Sequence, residues 1–173
     1  MLTIEQRPRD RKAAAALFGD PAGGDPAANA VDPAWEKANI VELHGRDAIP
    51  GLERWYFHTH RLMEPIMRAA FAGANAACPG YINRAASFVF RRVRHGAETP
   101  LSYHAFGIAV DVNPSDNSGR WISRPPVPWS DAWYKLWPMG VPRGVVEAFE
   151  DQGFSWGGLW RGYVDPMHFE WVG

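Results

Sequence analysis

Apolar residues recur near helical spacing between residues 52 and 77, where Leu52, Trp55, Tyr56, Leu62, Ile66, Met67, Ala70 and Phe71 fall close to one face. That period predicts a helix over the stretch. Pro65 interrupts it and either kinks the helix or starts a second one, since its ring removes a backbone donor. Cys78-Pro79-Gly80 ends the segment. Upstream, Ile40-Val41 within residues 34–49 predict a short strand, punctuated by Pro50 and Gly51. Residues 81–94 mix strand-like and helical cues and read as a strand or irregular arm. Residues 101–114 predict strand, turn and strand, ending at Asn113-Pro114. Residues 115–130 are polar and Pro-rich, as a loop would be. Residues 141–152 predict a helix, with Pro142 near its start and Gly153 just past its end. A turn over residues 153–158 and a last strand over residues 164–172 complete the chain. Helices first and strands clustered later favour an α+β fold over a doubly wound parallel sheet.

Composition changes this picture in three places. The chain of 173 residues is long enough for one domain with a real core and too short for two ordinary ones. Residues 19–34 consist largely of Gly, Asp, Pro and Ala, so residues 1–35 are expected to be a flexible N-terminal segment and residues 36–173 a single domain. Nine Trp and nine Phe imply either a ring-rich core or a ring-lined cleft. Trp129, Trp133, Trp137, Trp156, Trp160 and Trp171 are the candidates for such a wall, with residues 115–130 as a candidate border.

A net charge of −1 gives no global field for nucleic acid, although Arg91, Arg92, Arg94 and His95 form a local basic run. The single cysteine, Cys78, allows no disulfide within the chain and reads as a small buried hydrophobe. The basic residues 7–12 precede an apolar run too short for a secretion signal. No window approaches the roughly 20 apolar residues of a membrane span. The expectation is a soluble protein made in the cytoplasm, without membrane or nucleic-acid partners, and a monomer.

The candidate chemistry lies in the second half. His104 and Asp111 stand seven positions apart with Gly107 between them, and His168 follows Asp165 by three positions. Two imidazoles and one carboxylate leave the fourth position of a zinc ion open, as catalytic sites do, although the same donors also accommodate iron. The metal polarises a carbonyl and lowers the pKa of water, and a nearby carboxylate such as Asp165 can take the proton. The spacing H-x6-D is not a stand-alone zinc motif. Ser102 lies two residues before His104, so in a strand both would share a face. Glu170 stands at the same period from His168, where it either holds the far nitrogen of the imidazole or sits in a surface ion pair. His58 and His60, at i,i+2 in the predicted helix, would face different sides and are not expected to ligate together. His44 and His95 read the same way. No G-x-S-x-G or cysteine-centred motif supports a serine or cysteine hydrolase.

The run Ser102-Tyr103-His104-Ala105-Phe106-Gly107-Ile108-Ala109-Val110-Asp111 resembles the S-x-H-x-x-G-x-A-x-D signature of zinc D,D-/L,D-peptidases of peptidoglycan. That family includes VanY-type D-alanyl-D-alanine carboxypeptidases and phage L-alanyl-D-glutamate endolysins. Val112-Asn113-Pro114 extends the match. Asp165-Pro166-Met167-His168-Phe169-Glu170-Trp171 resembles the family's D/E-x-x-H-x-E box. Ala148-Phe149-Glu150 and Gly153-Phe154-Ser155-Trp156-Gly157-Gly158 resemble the helix and turn before it.

The resemblance implies Zn2+ on His104, Asp111 and His168, with Asp165 as the base and Ser102 near the substrate. It also implies an upstream arginine gripping a substrate carboxylate or carbonyl; Arg91 fits best, with Arg92 and Arg94 as rivals. The implied fold is a small central antiparallel sheet flanked by helices, Hedgehog/D,D-peptidase-like. The implied partner is a peptidoglycan stem peptide, reached in the cell wall after release from the cell. Asp rather than Glu at the base position leans toward an L-alanyl-D-glutamate endopeptidase, with a D-alanyl-D-alanine carboxypeptidase as the alternative. A non-catalytic zinc-containing binding module is the reading from another class, because Hedgehog domains keep such a fold for signalling.

Overall fold

A computed structural model describes residues 2–44, 56–93 and 99–173. The first helix, α1 (Arg11–Phe18), starts at Asp10, whose side chain accepts from Ala13 N. Its apolar face carries Ala14 and Phe18 into the core, and the Phe18 ring meets those of His60 and Trp171 edge-on. Helix α1 and the turns after it fall within residues 1–35, expected to be a flexible segment. The alanine run ending in Phe18 buries an apolar face, and Asp20 and Asp25 close the Gly/Pro-rich turns that follow by accepting from Ala22, Gly24 and Ala27 N. Next comes α2 (Pro33–Asn39), capped by Asp32 with proline in its first turn. Its Trp35 is buried and donates Nε1 to Phe18 O at 3.1 Å, tying the two helices together.

Strand β1 (Ile40–His44) pairs antiparallel with β2 (Tyr56–His60). A helix beginning at 52 is therefore corrected: residues 56–60 form a strand paired with β1, with Phe57, Thr59 and His60 buried. Pro50, Gly51, Leu52 and Trp55 lie outside the described residues. The helical period belongs to α3 (Glu64–Ala77), which Pro65 opens, and Ile66, Met67, Ala70, Phe71 and Ala74 form its buried stripe. Cys78 caps it and is half-buried.

Beyond α3 come β3 (Ala85–Ala86), β4 (Ala109–Val112) and β5 (Arg120–Ile122), then α4 (Asp131–Leu136) and α5 (Arg143–Glu150). The chain finishes with β6 (Ser155–Trp156), β7 (Gly162–Val164) and β8 (His168–Glu170). The central sheet has the order β3–β4–β8–β6, all antiparallel, and β5 pairs with β7 in a separate ribbon. The fold is α+β. The ribbon falls partly in the stretch expected to be loop, because Trp121 packs across it on Tyr163.

Helices α3 and α5 pack on each other through Phe71 and Phe149, and Phe149 stacks on Phe169 of β8, with centroids 4.5 Å apart. Trp133, Trp137, Trp156 and Trp171 are buried in this core, so most of the candidate aromatic wall is core instead. Among the described residues no helix is long and apolar enough to cross a membrane.

Candidate metal centre

Three elements bring the chemistry together. Asp111 of β4 and His168 of β8 are direct cross-strand partners. His104 comes from a single 3-10 turn, Tyr103–Phe106, where a strand was expected. Ser102 therefore does not share a strand face with His104. It precedes the turn and caps it, its Oγ accepting from His104 N at 3.4 Å. The turn ends at Gly107 with φ of 68°, the left-handed region that favours glycine. A Cβ there would lie 2.5 Å from His60 N. Gly107 O instead accepts from Thr59 Oγ1 at 2.9 Å and from His60 N at 3.1 Å, pinning the turn against β2.

His104 Nε2, His168 Nδ1 and Asp111 Oδ1 then form a near-equilateral triangle. The two nitrogens are 3.1 Å apart, and the carboxylate oxygen lies 3.1 Å from His168 and 3.2 Å from His104. The far nitrogens fix the tautomers. His104 Nδ1 donates to Ser87 O at 2.6 Å, and His168 Nε2 donates to Glu170 Oε2 at 3.1 Å. In the neutral form both inner nitrogens thus present lone pairs, and three acceptors converge on one point. That arrangement is repulsive unless a positive charge sits among them.

The edges also suit a small ion, since ligands about 2.05 Å from a tetrahedral zinc stand about 3.3 Å from one another. Among the described residues these three form the group with ligand atoms close enough to hold a metal ion. Without a cation, a proton takes its place. Burial alone would suppress the charge of His168, but the bonds and charges of Asp111 and Glu170 raise its pKa to about 9. Burial likewise pushes the Asp111 carboxyl up, yet the bonds from His104 and His168 outweigh this and hold it well below the usual range.

Asp165 reaches the same place from the loop before β8. Its N–H donates to Gly157 O at 3.0 Å and its carbonyl accepts from His168 N at 3.1 Å. A Cβ on Gly157 would lie 2.6 Å from Asp165 O, so only glycine allows this approach. Asp165 Oδ1 is buried with no hydrogen-bond partner. Burial pushes the carboxyl up to about 6, against the lowering pull of the His168 and Arg91 charges.

A cleft of about 650 Å³ opens here, lined in part by Arg91, Ser102, Asp165, His168 and Glu170. Of the rival arginines, Arg92 is spent on Thr99 O, Pro26 O and Ala28 O, and Arg94 lies outside the described residues, as does His95. Ser102 N donates to Arg91 O, which ties the arginine arm to the turn that carries His104.

Asn113 has φ of 46°. Its side chain accepts from Asn83 N and Arg84 N and donates to Tyr81 O, locking the approach to β3 beside β4. Of the tryptophans proposed as a wall, Trp160 lines the cleft, its ring 5.1 Å from that of His168. Arg11, Tyr103, Arg161 and Tyr163 also line it and went unnoticed in the sequence. Arg161 and Tyr163 stand between the two boxes, where proximity to Trp160 was the available signal. His58 and His60 lie on a strand, not a helix. His58 faces Glu42 on the exposed ribbon beside His44, and His60 is buried under α1.

Residues 95–171 match the model of a family described as D-alanyl-D-alanine carboxypeptidase. The match includes His104, Asp111, Asp165 and His168 and begins after Arg91 and α1. No solved structure matches the chain.

Proposed function

We propose that this relative of the D-alanyl-D-alanine carboxypeptidase family is a zinc-dependent peptidase that hydrolyses peptide bonds in peptidoglycan stem peptides, of the L-alanyl-D-glutamate endopeptidase type. The observation that carries the reading is the triangle of His104, Asp111 and His168 acceptors beside the buried, partnerless oxygen of Asp165. When bound there, zinc supplies Lewis acidity that polarises a peptide carbonyl and acidifies water. The protein's own groups do the rest. Ser87 O and Glu170 hold the two imidazoles with their lone pairs turned inward. Asp165, raised to about 6, is poised to take a proton from the attacking water and pass it to the leaving amine nitrogen. Arg91, near enough to act on Asp165, offers a planar fork to the substrate's carbonyl or carboxylate.

The family description favours a second reading, a carboxypeptidase that removes terminal D-alanine. Mass spectrometry of purified peptidoglycan incubated with zinc-loaded protein separates them, with Asp165→Ala alongside. New N-terminal D-glutamate marks the endopeptidase and free D-alanine the carboxypeptidase. Absence of both, with one zinc bound per chain, leaves a binding module.

A further inference from the structure

The cleft carries three guanidiniums, Arg11, Arg91 and Arg161, and two carboxylates, Asp165 and Glu170. Glu170 is engaged by His168 Nε2. Among the described residues, the side-chain ion pairs of this protein include none of the three arginines. Arg11 differs from the other two in the side-chain contacts that fix it, and like Arg91 it lies outside the family match. Its Nε donates to Leu101 O at 2.7 Å, and its guanidinium carbon lies 4.6 Å from the centre of the Tyr103 ring. The Asp10 cap and buried Phe18 hold both ends of its helix. One of five N–H donors is used at Leu101, which leaves the two terminal nitrogens with the fork geometry that matches a carboxylate. A phosphate, with its larger charge, would be opposed by Asp165 and Glu170 in the same cleft.

We infer that Arg11 is a specificity-determining anchor for a carboxylate of the substrate, brought to the cleft by α1. The inference rests on the peptidase reading for its ligand class. A stem peptide offers that chemistry from two sources, the free carboxylate of its glutamyl residue and its C-terminal carboxylate.

Three synthetic stem peptides distinguish them: the free acid, the glutamyl carboxamide and the C-terminal carboxamide. Binding to zinc-loaded wild type, R11Q and R11K is measured by calorimetry, which needs no turnover, and cleavage is followed in parallel. The expected result is that one carboxamide binds wild type about 10-fold or more weakly than the acid. In R11Q the acid and that carboxamide become nearly equal, and R11K falls between, keeping the charge but not the fork. The weakened carboxamide names the carboxylate. Equal binding of all three peptides by wild type, no binding of any, or undiminished discrimination in R11Q overturns the inference. Should R11Q fail to fold, wild-type discrimination retained in full by R11K also overturns it. Arg11-dependent discrimination without cleavage would keep the inference and sink the peptidase reading.

Discussion

His60 and His168 are almost equally hidden, 1% and 6% exposed, yet their pKa values are displaced in opposite directions. His60 joins β2 to α1: its Nε2 donates to Phe18 O, and Leu62 N–H points at its Nδ1. A second proton would face that N–H. Burial, the largest influence, together with the Arg61 charge lowers the pKa of His60 to about 4, against the bond to Phe18 O. His168 is buried too, but Asp111 and Glu170 flank it, and its pKa rises to about 9. Burial alone keeps an imidazole neutral; only placed carboxylates make a site that demands positive charge. One histidine fastens the fold, and the other belongs to a cluster whose donor atoms could hold a cation.

Removing a group from the second region has the largest expected effect. Asp165→Ala is expected to lower kcat/KM for wall peptide by about 10²–10⁴-fold while one zinc per chain remains, read by cleavage and metal analysis. A variant that cut as fast as wild type would remove Asp165 from the chemistry.

Asp111→Asn takes away the anion shared by both imidazoles, and should make His168 resemble His60. Its pKa in metal-free protein, followed by NMR, is expected to fall by about 2 units or more, and zinc is no longer retained.

The two histidines also act on stability with opposite sign. The folded pKa of His60 lies below the unfolded value, so its contribution is full above about 6.5 and shrinks as pH falls toward 4, by on the order of 3 kcal/mol. The folded pKa of His168 lies above, so its contribution is full below about 6.5 and is lost as pH rises through about 9. Urea midpoints of metal-free protein across this range should fall on both sides of neutrality. Saturating zinc, which replaces the proton on His168, should remove the alkaline fall. An alkaline fall unchanged by zinc would separate His168 from metal binding.

The smallest expected effect is that of Glu170→Gln, which keeps a polar group opposite His168 Nε2 but removes its charge. Zinc affinity should weaken by about 10–100-fold, measured by competition with a chelator.

The clustering of His104, Asp111 and His168 follows from two short boxes, which the pairing of Asp111 with His168 across β4 and β8 brings together. Helix α5 was legible from local punctuation, Pro142 before it and Gly153 after it. Strand β2 was not: its five residues show no clean alternation and lie just before the longer helical period of α3, and the longer pattern absorbs the shorter. The turn carrying His104 was hidden for a similar reason, since β-branched residues downstream suggested strand while the contact of Gly107 with His60 is tertiary. Docking of α1, and with it the placement of Arg11, depends on partners far along the chain, Leu101 and Trp171 among them, which no local window contains.

The most direct test of the metal centre as a catalytic one is titration of metal-free protein with zinc while cleavage of a stem peptide is followed. Cleavage should be absent at the start, rise in proportion to added zinc and level off at one zinc per chain. Full cleavage in the presence of a strong chelator, or a chain saturated with zinc that cuts nothing, would contradict it.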